Sequence, residues 1–596
     1  MGQLSPNATE IHATSTYRPS THITHTYQMN YPPLLFSLTL FGLSAIMANA
    51  ASFDWPQWQG PDRNAVSKET DLLKEWPESG PPLAWKISEL GTGFGSPSIA
   101  DGRIFGLSHR GDDEVVWALS ETDGNELWAT RLSKVNTDGL SQGKEGGGCT
   151  PTVDGDRVYV LGRSGDLVCL RVEDGSVLWR RNILETFDGR IPVFKYNESP
   201  LVDGDKVICT PGGKEKTLAA LNKWNGETIW TTKVPHEDDN APTPPSIMVT
   251  TPMLVALDID GNQEISTAEI RGSESILGKL DGNRDGKLTE DELREKSNEE
   301  ESGSQSRAQR QRRGSSYMRS LKVLAGLDTD ESGEIDASEI ENSVDALKKL
   351  DGNGDGLLDE KEVGAQFVSP PRSKAAYASA LAVDFNNQRH YVQSVAKGLV
   401  GVAASDGELL WMHNRPVTPT GLNCSTPIYQ DGFVCAASAY GGGGVLVKLA
   451  VDNNGGISTD EIWTSSDMEN HHGGIVVIDG GLYGANGDIG GGNLVCLDFQ
   501  TGETLWNEGD RDKEGVPKGS LMFADERIYY RTEEGTMLLI EPSRNGYLER
   551  SRFEQPDRSR NPAWSHPVIA NGRLYLRDQD SLFCYDVKET GKVSKR

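Results

Sequence analysis

The sequence contains no pair of adjacent cysteines and no CxxC or CxxCH motif, although it has seven cysteines in 596 residues. This spacing excludes a disulfide-dense scaffold, a zinc ribbon and a c-type haem attachment site. Basic charge is also scarce, because 59 Lys and Arg residues stand against 88 Asp and Glu residues, for a formal net charge of −29. Binding to phosphate backbones requires a basic surface, so the composition excludes a general DNA or RNA binder.

Long hydrophobic runs are also scarce. The one strong run, Leu34–Met47, is too short to span a bilayer comfortably and is followed by Ala48-Asn49-Ala50. An apolar stretch of this length before an A-x-A pattern is typical of a signal peptide. The sequence therefore predicts an N-terminal extension and signal peptide over residues 1–50. We expect an exported protein, periplasmic or extracellular, with no membrane span.

Glycine, in contrast, is abundant, at 66 residues. Many of these glycines belong to a repeat in which an Asx-Gly or Thr-Gly pair precedes a short strand that ends in tryptophan. The clearest copies end at Trp128, Trp179, Trp230, Trp411 and Trp506. An Asx-Gly pair between apolar runs indicates a β-hairpin, because a type I′ turn requires a positive φ at both central residues.

A second series of hairpin turns sets the period of the repeat. These turns start at residues 101, 154, 203, 386, 431, 479, 525 and 571, with one long interval between 203 and 386. The other intervals are about 48 residues, and two hairpins in that length make the four strands of one propeller blade. Leu83–Ile87 has the pattern of the outer strand of a blade, but the first three strands of that blade do not precede it. The last unit of the repeat has three strands and lacks an outer strand. We therefore predict an all-β eight-bladed propeller of four-stranded blades, closed by this N-terminal strand.

The repeat resembles the pyrroloquinoline-quinone (PQQ)-like eight-bladed propellers of exported bacterial proteins. The resemblance covers about residues 54–250 and 370–592, and its further motifs are Trp55–Pro61, Glu198–Gly204 and Asn470–Gly474. It implies a function anywhere between quinone-dependent dehydrogenases and a non-catalytic propeller of outer-membrane assembly. These motifs are specific for the fold and weak for an activity.

The long interval contains one insertion with four acidic twelve-residue loops. Three of them match the EF-hand pattern, with oxygen-bearing side chains at positions 1, 3, 5 and 9, Gly at 6, an aliphatic residue at 8 and Glu at 12. Calcium is a hard cation that takes six to eight oxygen ligands, and position 7 contributes its backbone carbonyl. The first loop has Gln263 where the glycine belongs, so we expect it to bind calcium most weakly.

Four sets of residues, at positions 1, 3, 5, 7 and 12, are the predicted metal ligands. They are Asp258, Asp260, Asn262, Glu264 and Glu269 in loop 1; Asp281, Asn283, Asp285, Lys287 and Glu292 in loop 2; Asp328, Asp330, Ser332, Glu334 and Glu339 in loop 3; and Asp351, Asn353, Asp355, Leu357 and Glu362 in loop 4. We expect three or four Ca²⁺ ions, and we expect the aliphatic residue at position 8 to pair each loop with its neighbour.

Only Ile270–Leu280 separates loops 1 and 2, and only Ile340–Leu350 separates loops 3 and 4. Each is long enough for one three-turn helix, so the insertion resembles compact EF-hand repeats rather than calmodulin-like lobes. The predicted domains are residues 1–50, the first propeller part at 51–249, the EF-hand insertion at 250–366 and the second propeller part at 367–596.

The first strand of each propeller blade lines the central channel, and its leading residues are candidates for a site. They include Cys149, Glu198, Cys424, His471, His472, Ser565 and His566. One interpretation is that Glu198 and the three histidines converge at one channel mouth, as ligands or as acid and base. The alternative interpretation is that the glycines after His472 make the histidines part of a tight turn into the strand.

The sequence as a whole predicts an exported calcium-binding propeller that acts as a binding or scaffolding module. Its partner is an unknown protein or a polysaccharide. The alternative is a PQQ-dependent oxidoreductase, similar to alcohol or sugar dehydrogenases, with the cofactor over the funnel. Such enzymes typically carry a vicinal disulfide, which this chain cannot form, and no motif specifies PQQ. The sequence therefore favours a non-enzymatic role and assigns no catalytic residue.

Overall fold

The structure of the protein is a computed structural model. It describes residues 53–135, 146–192, 194–235, 252–257, 265–281, 285–293, 322–330, 332–352, 354, 356–358, 360–363, 374–415, 422–487, 491–509 and 515–589. The predicted signal peptide lies outside the described residues. Within them, no helix combines the length and the apolar character needed to cross a membrane.

The chain begins with two strands that join blades completed at the other end of the sequence, and then forms three blades. The two strands are β1 (Val66–Ser67) and β2 (Leu83–Ile87). The three blades contain β3 (Ser98–Ala100), β4 (Arg103–Arg110), β5 (Asp113–Ser120) and β6 (Glu126–Lys134); β7 (Thr152–Asp154), β8 (Arg157–Leu161), β9 (Asp166–Arg171) and β10 (Val177–Asn182), followed by α1 (Ile183–Phe187); and β11 (Leu201–Asp203), β12 (Lys206–Cys209), β13 (Leu218–Asn222) and β14 (Thr228–Thr232).

The insertion follows the third blade and consists of short helices and two-residue strands. Its elements are α2 (Pro252–Leu257), β15 (Ile265–Ser266), α3 (Thr267–Arg271), α4 (Ser273–Leu280), β16 (Lys287–Leu288), α5 (Glu290–Leu293), α6 (Lys322–Leu327), β17 (Ile335–Asp336), α7 (Ala337–Glu341), α8 (Ser343–Lys348), β18 (Leu357–Leu358) and α9 (Glu360–Val363).

Five more blades complete the propeller. They contain β19 (Leu381–Phe385), β20 (Gln388–Val395), β21 (Gly398–Ala403) and β22 (Leu409–His413); β23 (Ile428–Gln430), β24 (Phe433–Ser438), β25 (Gly443–Val451) and β26 (Ile457–Ser465); β27 (Ile475–Ile478), β28 (Gly481–Asn486), β29 (Asn493–Asp498) and β30 (Thr504–Asn507); β31 (Gly519–Ala524), β32 (Arg527–Thr532), β33 (Thr536–Ile540) and β34 (Glu549–Glu554); and β35 (Val568–Ala570), β36 (Arg573–Asp578) and β37 (Ser581–Asp586).

The eighth blade confirms the predicted ring closure. Its outer strand is β2, which pairs antiparallel with β37 so that Trp85 lies opposite Cys584. The seventh blade gains a fifth strand from the same N-terminal segment, because β1 runs parallel to β31. The predicted eight four-stranded blades are therefore all present, and closure removes the free sheet edges of an open array.

The two series of turns differ in conformation. In the second series the prediction of two positive φ angles is confirmed at most turns, for example at Asp101 and Gly102, with φ of 50° and 71°. In the series that precedes the tryptophans only the glycine is left-handed, with φ of 74° at Gly124. A β-bulge follows it, because the strand register shifts just before Trp128. The type I′ prediction is therefore wrong for this series, where the bulge, and not the turn alone, orients the tryptophan.

At five of the eight blade junctions an outer-strand tryptophan packs on the turn glycine of the next blade. A Cβ atom added to Gly226 would lie 2.7 Å from the ring of Trp179, and one added to Gly407 would lie 2.6 Å from Trp230. The indole also donates across the junction, from Trp179 Nε1 to the carbonyl of Lys223 at 2.8 Å. The same packing joins Trp85 to Gly124, Trp128 to Gly175 and Trp463 to Gly502. The repeated glycine is thus required for two reasons: its positive φ, and the contact with the indole of the neighbouring blade.

We predict that Gly226→Ala destabilises the protein more than Gly204→Ala. Both glycines have positive φ, 70° and 60°, and a left-handed conformation costs a side chain about 1–2 kcal/mol in either case. A Cβ atom on Gly204 meets nothing within 4 Å, whereas the one on Gly226 overlaps the indole, which adds about 1–3 kcal/mol of overpacking. Thermal unfolding of the two variants measures the difference. Equal melting temperatures would contradict the docking role.

The insertion has its own hydrophobic core, in which 17 buried residues between Met253 and Val363 form one cluster. Its short strands pair crosswise, with Ile265 opposite Leu358 and Leu288 opposite Ile335. The predicted pairs, loop 1 with loop 2 and loop 3 with loop 4, are therefore wrong: loop 1 pairs with loop 4, and loop 2 with loop 3. The 11-residue linkers are too short to fold one loop back on the next, so each loop pairs with one from the other half.

The predicted single helix between neighbouring loops is also broken. Gly272 separates α3 from α4, and Asn342 separates α7 from α8. The breaks bring Ser273 and Ser343 together, with their buried hydroxyl oxygens 2.8 Å apart. The two halves of the insertion therefore meet at equivalent positions and form one unit.

The propeller is continuous across the insertion. Trp230 of the third blade packs on Gly407 of the fourth, and Thr232 Oγ1 donates to the Gly407 carbonyl at 2.6 Å. The flanks of the insertion also meet, because Lys374 Nζ donates to the Val234 carbonyl at 2.7 Å. The third and fourth blades are therefore joined by their own contacts.

We predict that the propeller folds without the insertion. Deleting residues 250–366 and bridging the gap with a short Gly/Ser linker keeps every contact between the third and fourth blades, and a longer loop costs only ~0.6 kcal/mol per doubling of its length. Circular dichroism of the deletion variant should show a folded β protein. EDTA should unfold the insertion in the full chain while barely changing the melting temperature of the propeller. A large shift of that temperature would show that the two parts are coupled.

Candidate functional site

The centre of the propeller is crossed by residues 55–67, which we call the plug. Trp55 exchanges backbone hydrogen bonds with Ile99 of the first blade at 2.9 Å in both directions. Arg63 is 1% exposed, and its guanidinium donates to the carbonyl of Ala380 at 2.9 Å and to that of Ser199 at 3.2 Å. Burial lowers the pKa of Arg63 to about 9, and the charge of Glu198 opposes that shift. The plug therefore joins several blades and closes the channel.

Above the plug lies a cavity of about 370 Å³ that residues of all eight blades and the plug line. Six of the lining side chains are aromatic and only partly buried: Trp58, Phe94, Phe194, Tyr377, Tyr440 and Trp564. The polar lining residues are Arg163, Asn197, Ser199, Ser379, Cys424, Thr426, His471, His472, Lys518 and Glu533. This cavity, which we call the funnel, is the candidate site.

Hydrogen bonds hold four of the six aromatic rings by their polar atoms. Trp58 Nε1 donates to Thr426 Oγ1 at 2.9 Å, and Trp564 Nε1 donates to Glu533 Oε1 at 2.9 Å. The hydroxyl of Tyr377 accepts from the backbone N–H of Phe194 at 3.1 Å. The fourth ring belongs to Tyr440, whose hydroxyl lies 2.6 Å from His471 Nε2. The rings are therefore oriented before any ligand arrives.

The histidines of the funnel are stacked and neutral at pH 7. The rings of His471 and His472 lie 3.6 Å apart between centroids, and His472 lies 4.4 Å from Trp564. Burial lowers the pKa of His472 to about 3, with further lowering by Lys518 and His566. Burial also lowers the pKa of His471 well below its ordinary value. These rings can exchange hydrogen bonds, but they carry no positive charge.

The predicted convergence of Glu198 and the histidines is only partly correct. His471, His472 and Cys424 line the funnel, whereas Glu198 does not. The Glu198 carboxylate accepts from the backbone N–H of Thr210 at 2.6 Å, and burial raises its pKa to about 7. Its neighbours Asn197 and Ser199 do line the cavity, so Glu198 lies behind the lining in the segment that leads into β11.

The other leading residues also lie behind the lining. Ser565 Oγ donates to the Phe94 carbonyl at 2.8 Å, and His566 Nε2 lies 2.7 Å from the His472 carbonyl oxygen. Cys149 is buried, and burial raises its pKa to about 12. All seven cysteines of the chain are free thiols. Six of them are buried, and Cys424 is partly exposed.

Sequence reasoning missed the aromatic lining and the charged pair of the funnel. Lys518 Nζ lies 3.4 Å from Glu533 Oε1, and burial raises the pKa of Glu533 while Lys518 opposes that shift. A usable signal was present, because Phe94, Tyr377, Lys518 and Trp564 all precede the first strand of a blade by a few residues. Aligning the blade starts would have identified them together.

The resemblance implies PQQ as a cofactor, and the side chains of the funnel can be compared with the groups that PQQ carries. PQQ is a planar quinone with three carboxylates, so it requires uncommitted cationic donors. Among the described lining residues, Arg163 donates to the carbonyls of Gly146 and Phe194, and Lys518 is paired with Glu533. The donor set does not fit a tricarboxylate, and no step is derived through this cofactor.

The insertion holds a second candidate site, in loop 3. One oxygen each of Asp328, Asp330 and Glu339 lie within 4.8 Å of one another. Gly333 has a φ of 88°, and its N–H donates to Asp328 Oδ2 at 3.1 Å. Glu339 Oε1 accepts from the N–H of Thr329 at 2.6 Å. The carboxylates thus share the inside of the loop, as the EF-hand pattern predicts.

The other loops are described in part. Asp258, Asp260, Asn262, Glu264, Asn283, Asn353 and Asp355 lie outside the described residues. In loops 2 and 4 the position-6 glycines, Gly286 and Gly356, have φ of 82° and 83°, and their N–H groups donate to Asp281 and Asp351 at 2.9 Å.

The position-12 carboxylates of these loops also turn inward or cap a helix. Glu362 Oε1 accepts from the Gly352 N–H at 2.8 Å, whereas Glu269 and Glu292 accept from the N–H groups of Ser266 and Thr289. At position 7, Lys287 and Glu334 form an ion pair between loops 2 and 3. The remaining predicted residues, Ser332 and Leu357, lie within their loops, and the Ser332 N–H donates to Asp330 at 2.9 Å.

Eight closed four-stranded blades around a plugged funnel, with EF-hand loops inserted between two blades, define a propeller of the PQQ-like repeat class. The profile of the family described as outer membrane protein assembly factor BamB matches residues 112–262 and 341–508, more than half of the chain. The chain belongs to this family. An EF-hand profile also matches residues 274–295, which contain loop 2.

Curated relatives match a limited stretch. The outer membrane protein assembly factor BamB of Escherichia coli K12 is 28% identical over 132 residues, which are 20% of this chain and 32% of the relative. The protein of the same name from Moranella endobia is 25% identical over 155 residues, 26% of this chain and 37% of the relative. The chain thus matches about a third of the length of these relatives.

Solved structures with similar folds belong to both functional classes. BamB from Moraxella catarrhalis is 13% identical, with a TM-score of 0.40 over 82% of this chain and 95% of that one. The quinohemoprotein alcohol dehydrogenase from Comamonas testosteroni is 14% identical, with a TM-score of 0.41 over 92% and 83%. Scores at this level transfer no function to this chain.

Proposed function

We propose that the protein is an exported, calcium-binding propeller whose blades form a binding or scaffolding module. The observation that carries the binding role is the plugged funnel, where partly exposed aromatic rings are held in place around a cavity. Fixed aromatic surface with a few polar groups is typical of a ligand site. Export is supported by the signal-peptide pattern and by the family, which is described as outer membrane protein assembly factor BamB.

The same site favours binding over oxidation chemistry. Of the described residues that line the funnel, Glu533 is the carboxylate, and it is already engaged by Lys518 and Trp564. The funnel histidines are neutral, so they supply no cation for an anionic cofactor. A protein segment or a polysaccharide that offers apolar surface and hydroxyl groups is the partner that this lining suits.

We predict that recombinant protein supplied with Ca²⁺ and PQQ does not form a stable complex. Arg163 and Lys518 already have partners within the protein, so the three carboxylates of PQQ lack matching cationic donors in the funnel. Absorbance of the desalted protein in the quinone band measures uptake, and dye reduction with an alcohol or a sugar measures activity. A stable holo-complex that reduces the dye would replace the binding role with an oxidoreductase.

The calcium component of the proposal is supported by loop 3 and by the matching loops 2 and 4. Three carboxylates within 4.8 Å repel one another, and a divalent cation removes that repulsion while taking their oxygens as ligands. Ion binding should therefore stabilise the insertion, which carries much of the negative charge of the chain.

We predict that calorimetry of the full chain detects three or four Ca²⁺ ions, with affinities between ~10⁻⁷ and ~10⁻³ M. Glu339→Gln should remove one site, because position 12 supplies two ligand oxygens. Glu341→Gln, on the exposed surface of the same helix, α7, is the matched control and should leave the stoichiometry unchanged. Absence of calcium heat in the unaltered protein would refute this component.

The strand pairs β15–β18 and β16–β17 predict which calcium sites are coupled in the calorimetric titrations. Loops 2 and 3 share the β16–β17 pair, so the effects of Glu292→Gln and Glu339→Gln should not be additive. Glu339→Gln and Glu362→Gln lie in loops that do not pair, and their effects should add. Strong coupling between loops 3 and 4 instead would contradict the crossed arrangement.

A further inference from the structure

The aromatic rings of the funnel present faces rather than polar atoms. The indole N–H groups of Trp58 and Trp564 and the Tyr377 hydroxyl are already used in hydrogen bonds within the protein. A ligand therefore meets π faces, which carry negative potential and attract the positive edges of C–H bonds. Recognition through these rings requires a ligand with a C–H surface.

The charges of Lys518 and Glu533 cancel one another, and Arg163 is the remaining charged side chain of the described lining. Lys518 and Glu533 form a largely buried ion pair, with 9% and 18% of their side chains exposed. The Arg163 guanidinium donates to the Gly146 carbonyl at 2.7 Å. The stacked histidines carry no charge at pH 7, because burial lowers their pKa values. The described lining thus offers an ammonium and a carboxylate side by side, which suits a neutral ligand that both donates and accepts hydrogen bonds.

We propose that the funnel binds a neutral saccharide of one or two pyranose rings. A pyranose combines C–H faces, which pack on aromatic rings, with hydroxyl groups, which donate and accept and so can engage Glu533 and Lys518 together. A purely aromatic ligand would cover this ion pair without replacing its hydration. This inference rests on the proposed binding role and names its ligand class.

The size of the funnel agrees with this ligand. Small-molecule sites usually enclose about 300–1,000 Å³, and the funnel, at about 370 Å³, lies at the lower end. The plug closes it below, so a long chain cannot pass through. A polysaccharide would therefore be bound by a chain end or a short side branch.

The test is a titration of the full-length protein, in calcium, with maltose, cellobiose and N,N′-diacetylchitobiose, followed by calorimetry and tryptophan fluorescence. We expect one-to-one binding of at least one of these neutral disaccharides. Trp564→Ala should weaken that binding at least tenfold, and Trp564→Phe, which keeps an aromatic face, should weaken it less. Circular dichroism and calcium binding of both variants check that they are folded.

Trp224→Ala is the matched control. Trp224 is 52% exposed and does not line the funnel, so its removal should leave saccharide affinity unchanged. Equal loss in both tryptophan variants would place the ligand elsewhere and overturn the proposal. So would tighter binding of digalacturonate than of the neutral disaccharides, because an anion would then be preferred.

Two further outcomes separate this inference from the proposed function. If no neutral disaccharide binds at millimolar concentration but the peptide Gly-Trp-Gly does, and Trp564→Ala abolishes that binding, the saccharide assignment is wrong and the binding role stands. If the funnel takes up PQQ and the protein reduces a dye, both are wrong.

Discussion

At five of the eight blade junctions an outer-strand tryptophan packs on the turn glycine of the next blade, and the propeller depends on this contact. Each blade buries its faces only against its neighbours, so eight separate sheets become one body through their junctions. At Trp179 the indole covers Gly226 and donates into the same turn. Any side chain on that glycine would separate the two blades, which explains why glycine and tryptophan recur together in the repeat.

The same contact explains how the propeller accommodates a long insertion. Trp230 and Gly407 dock across it, and Lys374 reaches back to Val234. The insertion, in turn, satisfies its own apolar residues in a separate core. Two units with separate cores can share one chain because neither requires the other to bury its hydrophobic surface.

The funnel depends on a different constraint, the burial of Arg63 at the propeller axis. A fully buried guanidinium is tolerated because carbonyl oxygens from more than one blade accept its N–H groups. Its position fixes the plug and so places Trp58 as the floor of the cavity. The ligand site is consequently a product of the N-terminal segment as much as of the blades.

Period, turn residues and loop spacing are local patterns, and from them the sequence determined the eight blades, the N-terminal ring closure and the presence of an EF-hand insertion. Features that depend on residues far apart in the chain were decided only by the tertiary structure. Among these are the pairing of loop 1 with loop 4 and of loop 2 with loop 3, which follows from the 11-residue linkers within each half of the insertion, and the exclusion of Glu198 from the funnel. The aromatic lining belongs to the same group, since its members are separated by up to about 500 positions and meet only because eight strand starts converge on one axis.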